Sequence, residues 1–220
     1  MRKRLTLHAR LTAVAALSAL VFSQTLLPAV ACQEEAMLVF DASGSMSSAR
    51  DGMPKIDMAR QAAADVLPDL TAKRATGLVT YGGEPGQSCS GVSVRFPPMT
   101  GSADLILSEL EALHPSGSTP LTEATWAAAQ TLRNSGKPGT IVLVTDGKEN
   151  CGYNACVFGQ QMAMAAKNIK VHVIGFFLHA GAEANVACLA QKTGGTYTSV
   201  FGLHSLKEAL KKTLTCPRIS

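Results

Sequence analysis

Six short apolar runs separated by helical segments set the strongest limit on how this chain can fold. Residues 36–40, 76–81, 92–96, 140–145, 171–176 and 196–200 read as strands. Segments 54–70, 103–113, 121–132, 155–167 and 182–192 carry helical spacing, and Leu203, Leu206, Leu210 and Leu214 mark a last helix. Strands joined by helices require right-handed crossovers, hence a mostly parallel sheet with helices on both faces. The expected fold class is α/β: three layers, doubly wound, around a six-stranded sheet. The gap between the second and third strands holds Gly82-Gly83-Glu84-Pro85-Gly86 and no helix, so that pair is expected to be antiparallel, with the alternating third strand at an edge. No long linker, repeat or low-complexity tract interrupts the pattern, and one domain is expected over 33–217. In such sheets function sits at the carboxyl ends of the strands, where strand order reverses.

Residues 1–31 are expected to lie outside that domain. Arg2, Lys3, Arg4 and Arg10 precede an uncharged stretch over 11–22, and Ala29-Val30-Ala31 precede Cys32. A basic start, a short apolar run and an A-x-A site form the pattern of a secretory signal peptide. The apolar run is shorter than the roughly 20 residues of a membrane span, so no stable span is expected after cleavage. Cleavage takes four of the 20 basic residues and none of the 16 acidic ones, which leaves no formal net charge. Nucleic acid is therefore not an expected partner, because it needs a clustered basic surface. Lys207, Lys211 and Lys212 read as a solvated helix face. All six cysteines follow the leader, an even number that suits three bridges in an oxidising compartment. The expected location is periplasmic or secreted. Cys32 at the first mature position raises the alternative of a lipoprotein, but Ala29 stands where a lipobox carries leucine, and lipidation would leave five thiols.

Two loops carry the chemistry. Asp41-Ala42-Ser43-Gly44-Ser45 follows the first strand, and Thr145-Asp146-Gly147 follows the fourth. Ser116-Gly117-Ser118-Thr119-Pro120 lies between them, before a helix. If the three converge, two carboxylates and three hydroxyls share one site. Taken singly, these are ordinary capping and turn residues. Taken together, an all-oxygen set suits a hard cation, Mg²⁺ above all, with Mn²⁺ or Ca²⁺ as substitutes. Such an ion keeps a position open for an outside ligand, and a partner's carboxylate is the natural one.

Asp41-Ala42-Ser43-Gly44-Ser45, Thr119 and Asp146-Gly147 together resemble the metal-ion-dependent adhesion site of von Willebrand factor type A domains. The resemblance covers nearly all of the chain after the leader. It implies that Ser43, Ser45 and Thr119 coordinate the cation through hydroxyls, and that Asp41 and Asp146 bind it directly or through water. It also implies the sheet order 3-2-1-4-5-6 with the third strand antiparallel. The stretch from Asp146 to Cys156 is similar to that of exported bacterial members with two cysteines after the aspartate-glycine pair. Type A domains mostly bind proteins, so the implied function is metal-dependent protein interaction or adhesion, with an acidic side chain of a protein partner on the metal.

Cys151 and Cys156 are close in sequence and are expected to clamp the loop beside Asp146. A Cys32–Cys216 bridge would tie the domain's ends together, as in some type A domains, which leaves Cys89 with Cys188. Thiolate metal binding is disfavoured, because no C-x-x-C spacing occurs. His172 reads as a satisfied core or boundary residue, Trp126 as packing, His179 and His204 as surface, and His114 as a neighbour of the Thr119 loop. Without a G-x-S-x-G elbow or a Walker loop, an enzyme is not expected. A metal-assisted hydrolase and a periplasmic accessory or assembly factor are the alternatives to adhesion.

Overall fold

A computed structural model describes residues 32–83 and 88–216. The expected leader over 1–31 and part of the loop after the second strand lie outside the described residues. The sheet comprises β1 (Glu35–Ala42), β2 (Thr76–Gly82), β3 (Val92–Met99), β4 (Gly139–Thr145), β5 (Ile169–Phe176) and β6 (Tyr197–Val200). The helices are α1 (Lys55–Thr71), α2 (Ala103–Ala112), α3 (Leu121–Ser135), α4 (Ala155–Ala165), α5 (Ala180–Lys192) and α6 (Leu203–Leu214). Every expected element is present, and the differences lie at element ends. The third strand runs on through Pro97 and Pro98, which an edge strand tolerates here because its register with β2 is irregular between Thr76 and Leu78 and its outer side needs no N–H donor.

The strand order is β3–β2–β1–β4–β5–β6, with β3 antiparallel to β2 and every other pair parallel. Alternate residues of the central strands face opposite layers. Leu38, Phe40, Val142 and Val144 pack with Ile56 of α1, Ile106 of α2 and Leu206 of α6. Met37, Val39, Ile141 and Leu143 pack with Leu121 of α3, Met162 of α4 and Leu189 of α5. Both central strands are therefore buried on both faces, which is why they read as continuous apolar runs. Trp126 packs partly buried against the second layer. The order reverses between β1 and β4, so their carboxyl ends open into one crevice.

A small antiparallel pair, Ala49–Arg50 with Met53–Pro54, follows the turn after β1. Asp51 and Gly52 connect it with φ of +51° and +79°, a two-residue hairpin turn whose Asp-Gly signal is plain in the sequence. The hairpin returns the chain so that α1 starts beside the turn, with Lys55 N–H donating to Ser48 O at 3.1 Å.

Two of the three expected cysteine pairs are corrected. Cys32 is bonded to Cys216, as expected, but Cys151 is bonded to Cys89 and Cys156 to Cys188. The reason is helical. Asn154 Oδ1 accepts N–H bonds from Cys156 and Val157 and opens α4 there, which carries Cys156 away from Cys151. Gly159 lets α4 lie close on α5, since an added Cβ would stand 3.0 Å from Leu189 Cα, and this brings Cys156 to Cys188 with Cα atoms 4.9 Å apart. Cys151 stays in the loop and meets Cys89 near the start of β3, at a Cα separation of 5.5 Å.

His172 is half-buried, and its Nδ1 accepts the Thr196 N–H at 3.2 Å, as a boundary residue should. His114, His179 and His204 are exposed. Lys207 pairs with Asp65 and Lys211 with Glu208. Among the described residues no helix is long and apolar enough to cross a membrane.

Candidate metal centre

Asp41 is the penultimate residue of β1, and its carboxylate is fully buried. Its Oδ1 accepts the Ser43 N–H at 2.8 Å, which folds the chain into a tight turn directly after the strand. Its Oδ2 accepts the Thr145 hydroxyl at 2.7 Å and the Asp146 N–H at 3.4 Å, which ties the end of β1 to the end of β4. Tyr81, at the end of β2, extends the chain of bonds by donating to Thr145 Oγ1 at 3.0 Å. Asp41 is therefore held on both oxygens by protein donors and acts as an orienting carboxylate.

Of the turn's two serines, Ser43 is buried and Ser45 exposed. Ser43 Oγ lies 3.1 Å from Ser45 Oγ, and Ser45 donates to Asp146 Oδ1 at 2.6 Å. Met46, buried beneath the short 3₁₀ turn Gly44–Ser47, anchors the segment in the core. The third loop is drawn in by backbone bonds. Ser116 N–H donates to Ala42 O at 3.0 Å, and Gly44 N–H to Gly117 O at 3.2 Å. Gly82 permits the approach: its φ is +69°, and a Cβ there would meet Ala42 and Ser116 backbone atoms at 2.7 Å. Thr119 follows in this loop, buried, with its N–H on Asn150 Oδ1 at 2.7 Å. A Cβ on Gly147 would lie 3.4 Å from Thr119 Oγ1 and 3.7 Å from Ser45 Oγ, so both hydroxyls face the bare Cα of the fourth-strand loop. The structure thus brings Asp41, Ser43, Ser45 and Asp146 together through direct bonds, and sets Thr119 against the same spot.

Several contributors escaped the sequence reading. Glu149 Oε2 accepts the Thr122 N–H and hydroxyl at 2.9 and 2.8 Å, and its Oε1 accepts the Cys151 N–H at 2.7 Å. It caps α3 from the neighbouring loop. Lys55 is the larger omission. Its ammonium donates to Asp146 Oδ2, and both side chains are buried. A cation in the first turn of a helix opposes the helix dipole, and that conflict is the signal that should have marked Lys55 as paired. Burial, then the charge of Asp146, pushes the Asp41 carboxyl up to about 6 against the pull of its hydrogen bonds. Burial, then Asp41, raises the Tyr81 phenol well above its usual value.

The donor set suits a small hard cation. Oxygens held octahedrally at about 2.0–2.1 Å from an ion stand about 2.9 Å apart. The 3.1 Å between the two serine hydroxyls and the 2.6 Å from Ser45 to Asp146 bracket that spacing. Ser43, Ser45, Thr119 and Asp146 would hold the ion, with Asp41 behind them.

A doubly wound domain with an oxygen-lined crevice at the reversal of strand order is the class defined by fold and site. Residues 36–149, about half of the chain, match the family model described as von Willebrand factor type A domain, and the chain belongs to that family. It is 27% identical over 169 residues to the uncharacterized protein YwmC of Bacillus subtilis (strain 168), spanning 73% of this chain and 74% of that one. The SpRpn10 VWA domain superposes with a TM-score of 0.64 at 14% identity, covering 86% of this chain and all of that one. The pilus adhesin SpaC from Lactobacillus rhamnosus GG superposes with a TM-score of 0.63 at 16% identity, covering 83% of this chain and 30% of that one. At these identities the structural likeness speaks for the fold alone.

Proposed function

We propose that this chain is an exported binding module, not an enzyme, that holds Mg²⁺ at Ser43, Ser45, Thr119 and Asp146, with Asp41 behind them, and uses it to capture an acidic side chain of a protein partner. The observation that supports the reading is the bonding of Ser45 Oγ to both Ser43 Oγ and Asp146 Oδ1, which brings oxygens from two loops to the spacing that a small hard cation requires. When bound, the ion supplies a Lewis-acidic position for a carboxylate. The protein's part is to hold the donors. Met46 anchors the turn, Asp41 fixes Ser43 through its N–H, and Asn150 fixes Thr119 in the same way. Three disulfides fit an oxidising compartment outside the cytoplasm.

The test is calorimetric titration of Mg²⁺ and Mn²⁺ into the oxidised protein, in chloride and in acetate, beside Ser45→Ala and Thr119→Ala. Saturable binding that both substitutions abolish is the expected result. No binding in the wild type, or full binding in the variants, overturns the metal reading. Chelator-insensitive retention on immobilised polyglutamate overturns the partner reading.

A further inference from the structure

The divalent-ion reading leaves one observation without a role. A lysine ammonium is buried inside the candidate site. Lys55 Nζ lies on Asp146 Oδ2, with 5% of the lysine side chain and none of the aspartate side chain exposed. The buried carboxylates of Asp41 and Asp146 draw a cation there, although the helix dipole of α1 disfavours one. A buried ammonium is tolerated only when paired, and its partner is the carboxylate that the metal reading assigns to the ion.

The charges at the site constrain what it can hold. With both carboxylates ionised, Asp41, Asp146 and Lys55 sum to one negative charge. A divalent cation turns this into one uncompensated positive charge in a buried site, and a third carboxylate cancels it. Without the ammonium, the two aspartates alone would neutralise the ion. We propose that Lys55 is a resident counter-ion that opposes the divalent cation until a partner's carboxylate joins it, so that metal and partner bind as a coupled pair. Because coupling between ligands is reciprocal, the partner's acid is then also held weakly without metal. This rests on the metal reading above and adds to it an order: lysine alone leaves the site one unit negative, the metal alone leaves it one unit positive, and metal plus partner balances it.

The experiment titrates Mn²⁺ into wild type, Lys55→Met and Lys55→Arg by calorimetry. Each titration is run with and without saturating sodium acetate, sodium chloride holding the ionic strength. Acetate should tighten Mn²⁺ binding to the wild type about tenfold or more, since an uncompensated buried charge is expensive. Lys55→Met should bind Mn²⁺ about tenfold more tightly than the wild type without acetate, and acetate should then change little. Lys55→Arg keeps the charge and should keep the acetate dependence. Wild-type binding equal to or tighter than that of Lys55→Met, or indifferent to acetate, overturns the inference and leaves the metal reading standing. Absence of Mn²⁺ binding in all three proteins under both conditions overturns both. If Lys55→Met fails to fold in chelator, recovery of its cooperative unfolding transition on adding Mn²⁺ supports the inference, because the ion then replaces the missing charge. Failure of Mn²⁺ to restore it overturns the inference.

Discussion

The Cys32–Cys216 bridge joins the chain just before β1 to the chain just after α6, at a sequence separation of 184. The chain-entropy relation for such a loop gives about 5 kcal/mol of stabilisation, against about 4 kcal/mol for the 32-residue separation of Cys156 and Cys188. The two inner bridges already shortcut the longer loop, which trims the larger figure by roughly 0.6 kcal/mol and leaves an advantage of about 1 kcal/mol. The native ends are also held without the bridge. Cys32 N–H donates to Lys73 O at 2.9 Å, and buried Arg74 bonds Glu34 Oε2 at 3.1 Å and reaches Thr213 O and Leu214 O of α6. Removing the bridge should therefore leave the fold intact and act through the unfolded chain. The assay is urea unfolding of Cys32→Ser/Cys216→Ser beside Cys156→Ser/Cys188→Ser, followed by far-ultraviolet circular dichroism and extrapolated to water. The first variant should lose more stability than the second while keeping the wild-type native spectrum. An equal or greater loss in the second variant refutes the chain-entropy reasoning, and an altered native spectrum in the first refutes the claim that Arg74 holds the ends.

Two further outcomes are expected. Asp41 sits at about 6 in the native state and near 3.8 when unfolded. The native state then keeps a proton that the unfolded chain has released. Stabilisation fully present below the unfolded value is lost as pH rises through about 6, up to about 3 kcal/mol in the metal-free protein. Thermal unfolding in chelator from about pH 4 to about pH 7 should show this loss in the wild type relative to Asp41→Asn, and a flat or inverted difference would contradict it. Glu149→Ala removes the carboxylate that caps α3 and the Cys151 N–H, and should cost about 1–2 kcal/mol by chemical denaturation. A neutral result would mean that water replaces the cap.

The layer architecture was legible because its signals are periodic. Met37 and Val39 alternate with Leu38 and Phe40, and a strand apolar on both sides can only lie between two helical layers. The Asp-x-Ser-x-Ser turn was legible because a carboxylate that accepts the N–H two residues on is a local device, and Ser43 N–H does bond to Asp41. The disulfides were not legible in the same way. Nearness in sequence favoured Cys151 with Cys156, but α4 begins between them and turns Cys156 toward α5. The loop at Glu149 likewise caps a helix that begins 28 residues earlier in the chain, which no local pattern records.

What the sequence determined by itself was set by period and by short-range chemistry: the strand and helix order, the antiparallel edge, the capped turn and the five oxygen-bearing side chains. What the tertiary structure decided was which distant groups share one dielectric environment. Burial brings the charge of Asp146 to bear on Asp41, aligns Tyr81, Thr145 and Asp41 in one hydrogen-bonded row, and seats the ammonium of Lys55 on Asp146. Charges interact across space rather than along the chain, so the electrostatic balance of the site exists only once β1, β4 and the start of α1 have been folded against one another.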